Sequence, residues 1–151
     1  MSQVLNAFER MNLDQFNQLI CEIAPYFSTI NPKFVDLKPG YSEATIKKVR
    51  AIENHIGTVH AIAMCNAAEL VGGTLTDVSL PEGWRWIPKG MTVEYLVKAK
   101  TDIRAVASAE GVDFSSPGDK TVVVDIYDTQ NVKVFRAEIT MDVKAPKDAA
   151  K

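Results

Sequence analysis

A chain of 151 residues with a formal net charge of −2, 46% hydrophobic and 24% charged, has the size and composition of one soluble globular domain, expected over 1–151. Its lysines and acids are interspersed, so there is no basic stripe and nucleic acid is set aside as a partner; no apolar run reaches the ~20 residues of a membrane span. The start MSQVLNAFERMNLDQ lacks the basic-then-apolar order of a signal peptide. The isolated Cys21 and Cys65 read as buried thiols of a reducing compartment, which makes a cytoplasmic location the expectation.

From Leu13 onward, Phe16, Leu19, Ile20, Ile23, Ala24 and Phe27 recur at helical spacing behind a cap at Asn12 or Asp14. The spacing predicts an amphipathic helix over 13–27, with Pro25 disturbing its last turn. Short strands follow at Phe34–Leu37 and Tyr41–Val49, joined at Pro39-Gly40. Residues 58–72 carry Val59, Ala61, Ile62, Ala63, Met64, Ala67, Ala68, Leu70 and Val71, apolar on nearly every side, which predicts a central buried helix ended by a left-handed cap at Gly72-Gly73.

After a loop, TDVSLPEGWRWIPKG, four stretches show strand character: Met91–Val97, Ile103–Ala109, Thr121–Tyr127 and Phe135–Val143. SSPGDK and DTQN have the length and residues of hairpin loops, and the tail 144–151 is expected to fray. Helix, two strands, buried helix and four strands predict an α+β fold, with a curved antiparallel sheet wrapped around the central hydrophobic helix.

The stretch NHIGTVHAIAMCNAAELVGG, residues 54–73, places both histidines at the entrance of the most apolar helix and a carboxylate within it. Asn54, His60 and Glu69 stand at spacings of six and nine, and with the strand MTVEYLVKA, in which Tyr95 and Ala99 lie four apart, this pattern resembles the hotdog-fold thioesterases. The likeness extends from about Phe34 to Val143. It is nearest the branch typified by the phenylacetyl-CoA-pathway and small mammalian acyl-CoA thioesterases, which carries an asparagine, then His-Gly-Gly, then an acid on the helix. The resemblance implies the hotdog fold, hydrolysis of an acyl-CoA thioester, and a homodimer or homotetramer whose sites lie between subunits. It implies no cofactor beyond the coenzyme A of the substrate.

On that resemblance the catalytic candidates are Glu69, as base or nucleophile, with His60 and Asn54, and the substrate-binding candidates are Gly57, Thr58, Val59, Ala61, Asn66 and Lys89. Two positions depart from the pattern. Ala61-Ile62 replace the two glycines, and Pro88 falls where a helper hydroxyl is expected, leaving Thr92 nearest. A residue advances ~100° around a helix, so with a helix starting at Thr58, His60 and Glu69 face opposite sides; a site built from two chains accommodates that, and so do two unrelated jobs for the two residues.

Each residue also has a plainer reading. Glu69 is equally a carboxylate satisfied across an interface, His60 a local hydrogen-bonding group, Asn54 a turn or cap residue, Asn66 an interface amide and Lys89 a solvated charge. Trp84 and Trp86 read as cover for a ligand entrance or as interface anchors. No metal site is expected from two neighbouring histidines without a third ligand, and GxSxG is absent. The rival to catalysis is a non-catalytic acyl-CoA or lipid-binding hotdog protein; a hotdog hydratase lacks its aspartate–histidine arrangement here.

Overall fold

The computed structural model describes residues 2–150. Two helices open the chain: α1, Gln3–Arg10, capped by the Ser2 hydroxyl, and α2, Leu13–Ile23. At the head of α2 the Asn12 side chain accepts from the Gln15 amide while the Gln15 side chain accepts from the Asn12 amide, a reciprocal capping box. The helix expected to reach residue 27 stops at Ile23. Pro25 supplies no donor, and the chain continues as a tight 3-10 segment, Pro25–Ile30.

Among the described residues, six strands form one antiparallel sheet in the order β1-β2-β4-β5-β6-β3. They are β1 (Lys33–Lys38), β2 (Tyr41–Ile46), β3 (Arg85–Tyr95), β4 (Ile103–Ser108), β5 (Gly118–Tyr127) and β6 (Lys133–Lys144). The second strand is shorter than expected, since Arg50–Ile52 turns as a 3-10 helix. β3 starts earlier, drawing Arg85–Gly90 out of the presumed loop, with an irregularity between Pro88 and Gly90. Pro88 is tolerated because β3 is an edge strand. Past β6, Lys147–Ala150 forms one 3-10 turn, and of the tail expected to fray, Lys151 lies outside the described residues.

The central helix α3 runs Ala61–Ser79, shifted toward the C-terminus from the expected 58–72. The curved sheet holds α3 against its inner face, where Ala44, Ile46, Ala105, Val124, Ile126, Ala137, Ile139 and Met141 meet Ala67, Ala68, Leu70, Val71 and Leu75. Period two on the strands and apolar character around the helix are both consequences of that enclosure. Among the described residues, no helix is long and apolar enough to cross a membrane.

Gly72 and Gly73 do not cap the helix; they let the sheet approach it. A Cβ on Gly72 would stand 2.8 Å from Ile139 Cδ1, and one on Gly73 2.7 Å from the Trp86 ring. Thr74, Thr76 and Ser79 bond back to the carbonyls of Leu70, Gly72 and Leu75, and α3 ends before Pro81, which disfavours helix at Leu80. Trp86 is held in place by its Nε1–H, which donates to Asp77 Oδ1 at 3.1 Å.

Substituting Gly73→Val should therefore overpack the Trp86 contact and lower unfolding stability by about 1–3 kcal/mol, read from denaturant midpoints. Unchanged stability would show that the indole gives way.

Candidate active site

His60 is the N-cap of α3, and its Nδ1 accepts the Ile62 amide at 3.0 Å. In the neutral ring, accepting at Nδ1 leaves the proton on Nε2, so the exposed edge of His60 is a donor. The His60 amide is itself engaged by the Ile52 carbonyl at 2.8 Å, and Val59 N–H by the Ala99 carbonyl at 2.8 Å. Of the helix-start amides, those of Ala61 and Ala63 have no protein acceptor among the described residues. They sit at the positive end of the helix dipole, where a developing negative charge is stabilised. The sequence pointed to the amides near His60 and Ala61; the structure leaves the Ala61 amide free and the His60 amide occupied.

Asn54 organises the loop before the helix. Its Oδ1 accepts from the Ile56 and Thr58 amides at 3.1 and 3.0 Å, and its Nδ2 donates to Thr58 Oγ1 at 2.7 Å. Gly57 completes the turn at φ +77°, a conformation that favours glycine. Asn54, Thr58, Val59 and Ala61 line a recess of about 320 Å³ together with Tyr95 and Lys98. This is the plainer reading of Asn54 realised in hydrogen bonds, and it fixes the position of the free Ala61 amide.

Glu69 lies elsewhere. Along α3, Ile62, Cys65, Asn66 and Glu69 fall on one stripe, and with Pro25, Tyr26, Phe27 and Met91 they line a mainly apolar cavity of about 440 Å³. The Glu69 carboxylate has no hydrogen-bond or ion-pair partner among the described residues, and burial pushes its pKa above the ordinary glutamate value. His60 opens onto a neighbouring recess of about 190 Å³ with Ile52 and Glu53. His60, the N-cap, lies outside the helical backbone and ~13 Å from Glu69 along the axis, and Tyr26, Ile62 and Asn66 stand between the two recesses, lining both. One chain therefore does not unite them in one cavity.

The other expected residues fall in several places. Asn66 donates to Thr29 Oγ1 at 3.0 Å, tying α3 to the Pro25–Ile30 segment rather than bonding Glu69, and its Oδ1 is buried without a partner. Lys89 forms an exposed ion pair with Asp119 at 2.9 Å. Thr92 is exposed on β3, on the face opposite Met91, so no threonine hydroxyl reaches the Glu69 cavity from that strand. Cys21 and Cys65 are free thiols, partly rather than fully buried. No three His, Cys, Asp or Glu side chains among the described residues could hold a metal ion.

Sequence reasoning missed the Pro25–Phe27 wall and Met91, both brought in by long-range packing; Cys65, one turn before Glu69, was legible from the i, i+4 spacing.

Several solved structures resemble this one. A structural-genomics crystal structure is 52% identical over 95% of this chain and 97% of that one, with a TM-score of 0.88. A Haemophilus influenzae thioesterase is 18% identical, covering 89% and 91% of the two chains at a TM-score of 0.76. A thioesterase family protein from Silicibacter pomeroyi is 15% identical, covering 89% and 100% at 0.74. No curated protein matches this chain. The sheet and its enclosed helix thus have the same fold as these structures, the hotdog fold. A family model covers residues 13–143, and the chain belongs to that family, described as a domain of unknown function (DUF4442).

Proposed function

We propose that this protein hydrolyses an acyl thioester, with Glu69 of one chain acting opposite the His60–Ala61 helix start of a second copy. The observation that carries the reading is an unpartnered, half-buried glutamate in an apolar cavity, in a fold that also presents an unengaged amide at the start of the same helix. The thioesterase names of similar folds support it. Two copies are supported by the unpaired β3 edge and by apolar side chains left exposed near both recesses, including Tyr26 (65%), Ile62 (53%), Tyr95 (56%) and Val97 (51%).

In this reading Glu69 takes a proton from water as the water oxygen attacks the thioester carbonyl carbon. The carbonyl oxygen gains the negative charge and is held by the Ala61 N–H, with the His60 Nε2–H as a second donor. The tetrahedral adduct collapses, the C–S bond breaks, and the proton on Glu69 goes to the leaving thiolate. Asn54, Gly57, Thr58 and Val59 act by fixing the loop that aims the amide, and Asn66 holds the wall of the acyl cavity. Lys89 meets the carrier only by leaving Asp119. No group beyond the substrate's own carrier is required, and two free thiols suit a reducing, cytoplasmic setting.

Ile62, at the second glycine position of the motif and 53% exposed, supports the second reading, a protein that binds acyl thioesters without turnover. Its side chain lines both the Glu69 and His60 recesses, where acyl groups would pass.

Thiol release from a panel of short, medium, long and aromatic acyl-CoAs separates the two. Glu69→Gln should reduce kcat by about 10²–10⁴. Ala61→Pro replaces the amide proton by a ring carbon while the backbone is kept, since proline is favoured at the first helical position and His60 already has an extended backbone, φ −62° and ψ 137°. It should cost about 10²–10³ in kcat with the fold retained. Turnover unaffected by either substitution would sink the proposal, and tight retention of unhydrolysed ligand would favour the second reading.

Stability should carry the same signature. Burial raises the Glu69 pKa, so the folded chain holds that proton more firmly and loses stability as pH rises from the ordinary value through the folded one. Glu69→Gln should thus raise Tm relative to wild type at pH 8, with the gap closing near pH 4. A gap independent of pH would mean the carboxylate is well solvated or paired.

A further inference from the structure

Asn66, 6% exposed, stands between two spaces and lines both the Glu69 cavity and the His60 recess. Its Nδ2 donates to Thr29 Oγ1 at 3.0 Å and faces the Tyr26 carbonyl at 3.5 Å. Thr29 has already given its own proton to that carbonyl, at 2.8 Å. The amide therefore meets only acceptors on the Pro25–Ile30 segment, which fixes its orientation with Nδ2 toward them and Oδ1 away. Oδ1 is buried and has no hydrogen-bond partner among the described residues.

A buried acceptor without a partner works against folding, and an apolar side chain of the same size would cost less. Such an atom calls for a donor that arrives from outside the chain's own packing. Hydrolysis brings one. The attacking water has two O–H bonds, and the base takes the proton of only one of them. The other O–H needs an acceptor if a lone pair of the oxygen is to face the carbonyl carbon. Glu69 follows Asn66 by three residues on the same helix face. The remaining polar side chains that line the Glu69 cavity are those of Tyr26, 65% exposed, and Cys65, whose Sγ lies 3.7 Å from Tyr95 Oη. Neither is a buried oxygen acceptor.

We propose that Asn66 is the positioning residue for the hydrolytic water, its Oδ1 accepting one O–H while Glu69 removes the proton of the other. The inference rests on the hydrolase reading and adds to it the group that orients the nucleophile. The proton held by Asn66 stays on the oxygen that becomes part of the acid product, so the amide is unchanged by the reaction. Thr29 acts at one remove, by holding Nδ2. Ile62 lies one turn before Asn66, lines the same two spaces and is 53% exposed, so its rotation admits water to Oδ1.

The test compares Asn66→Leu, which removes the acceptor at similar volume, with Thr29→Val, which removes the anchor of Nδ2 but keeps Oδ1. Asn66→Leu should lower kcat for thiol release about 10–100-fold with KM little changed, whereas Thr29→Val should stay within about threefold of wild type. Stability should run in the opposite order. Asn66→Leu discards the unpaired acceptor and Thr29→Val strands the Nδ2 donor, so the leucine variant should unfold at the higher Tm. Should Asn66→Leu fail to fold, Asn66→Ala, a favourable helix residue, replaces it in the kinetic comparison. Equal kcat losses in the two variants, or a loss in KM alone, overturn the inference and leave the hydrolase reading intact where Glu69→Gln is inactive. No turnover by wild type removes the hydrolase reading and this inference with it.

Discussion

A helix that is apolar on nearly all sides has to be enclosed, and the rest of this molecule follows from enclosing α3. The six-strand sheet covers most of it, drawn in so closely at Gly72 and Gly73 that a methyl group there would collide with Ile139 or Trp86. The stripe Ile62, Cys65, Asn66 and Glu69 is the part the sheet leaves to other elements. The turn Pro25–Ile30 covers it incompletely, and the resulting cavity contains the one carboxylate of the helix's first three turns. Burial there raises the cost of charge on Glu69 and removes competing partners, the condition a general base needs.

The same enclosure determines what the helix start can do. Its amides have no intrahelical acceptors, and the surrounding loop engages some of them while leaving others open. Ile52 takes the His60 amide, Ala99 takes that of Val59, and the His60 ring takes that of Ile62. What is left are the N–H groups of Ala61 and Ala63, the first flanked on both sides by engaged amides. Asn54 contributes through the loop geometry, so its loss should act through misplacement of the Ala61 amide.

Much of the architecture was legible because burial writes periodicity into the chain. Strands enclosed on one face alternate, and a helix enclosed on most faces does not. The errors came where one residue type answers two needs. Gly72-Gly73 read as a terminator because a left-handed cap and a close tertiary approach both require a missing side chain, and only the positions of Ile139 and Trp86 distinguish them. α2 ends early because Pro25 dominates the apolar periodicity that continues to Phe27. The candidates Asn54, His60 and Glu69 were legible as residues, as were the amides near His60 and Ala61, but which amides stay open was not, since that is set by where their neighbours' hydrogen bonds go.

The central claim is that two chains complete one site, and subunit complementation addresses it directly. Glu69→Gln and Ala61→Pro chains are mixed under conditions that exchange subunits, and thiol release is followed. A mixed dimer has one site with both the glutamate and the amide intact, so activity should recover to about a quarter of wild type from two preparations that are each nearly inactive. No recovery from fully exchanged dimers would contradict the account and place glutamate and amide in the same chain.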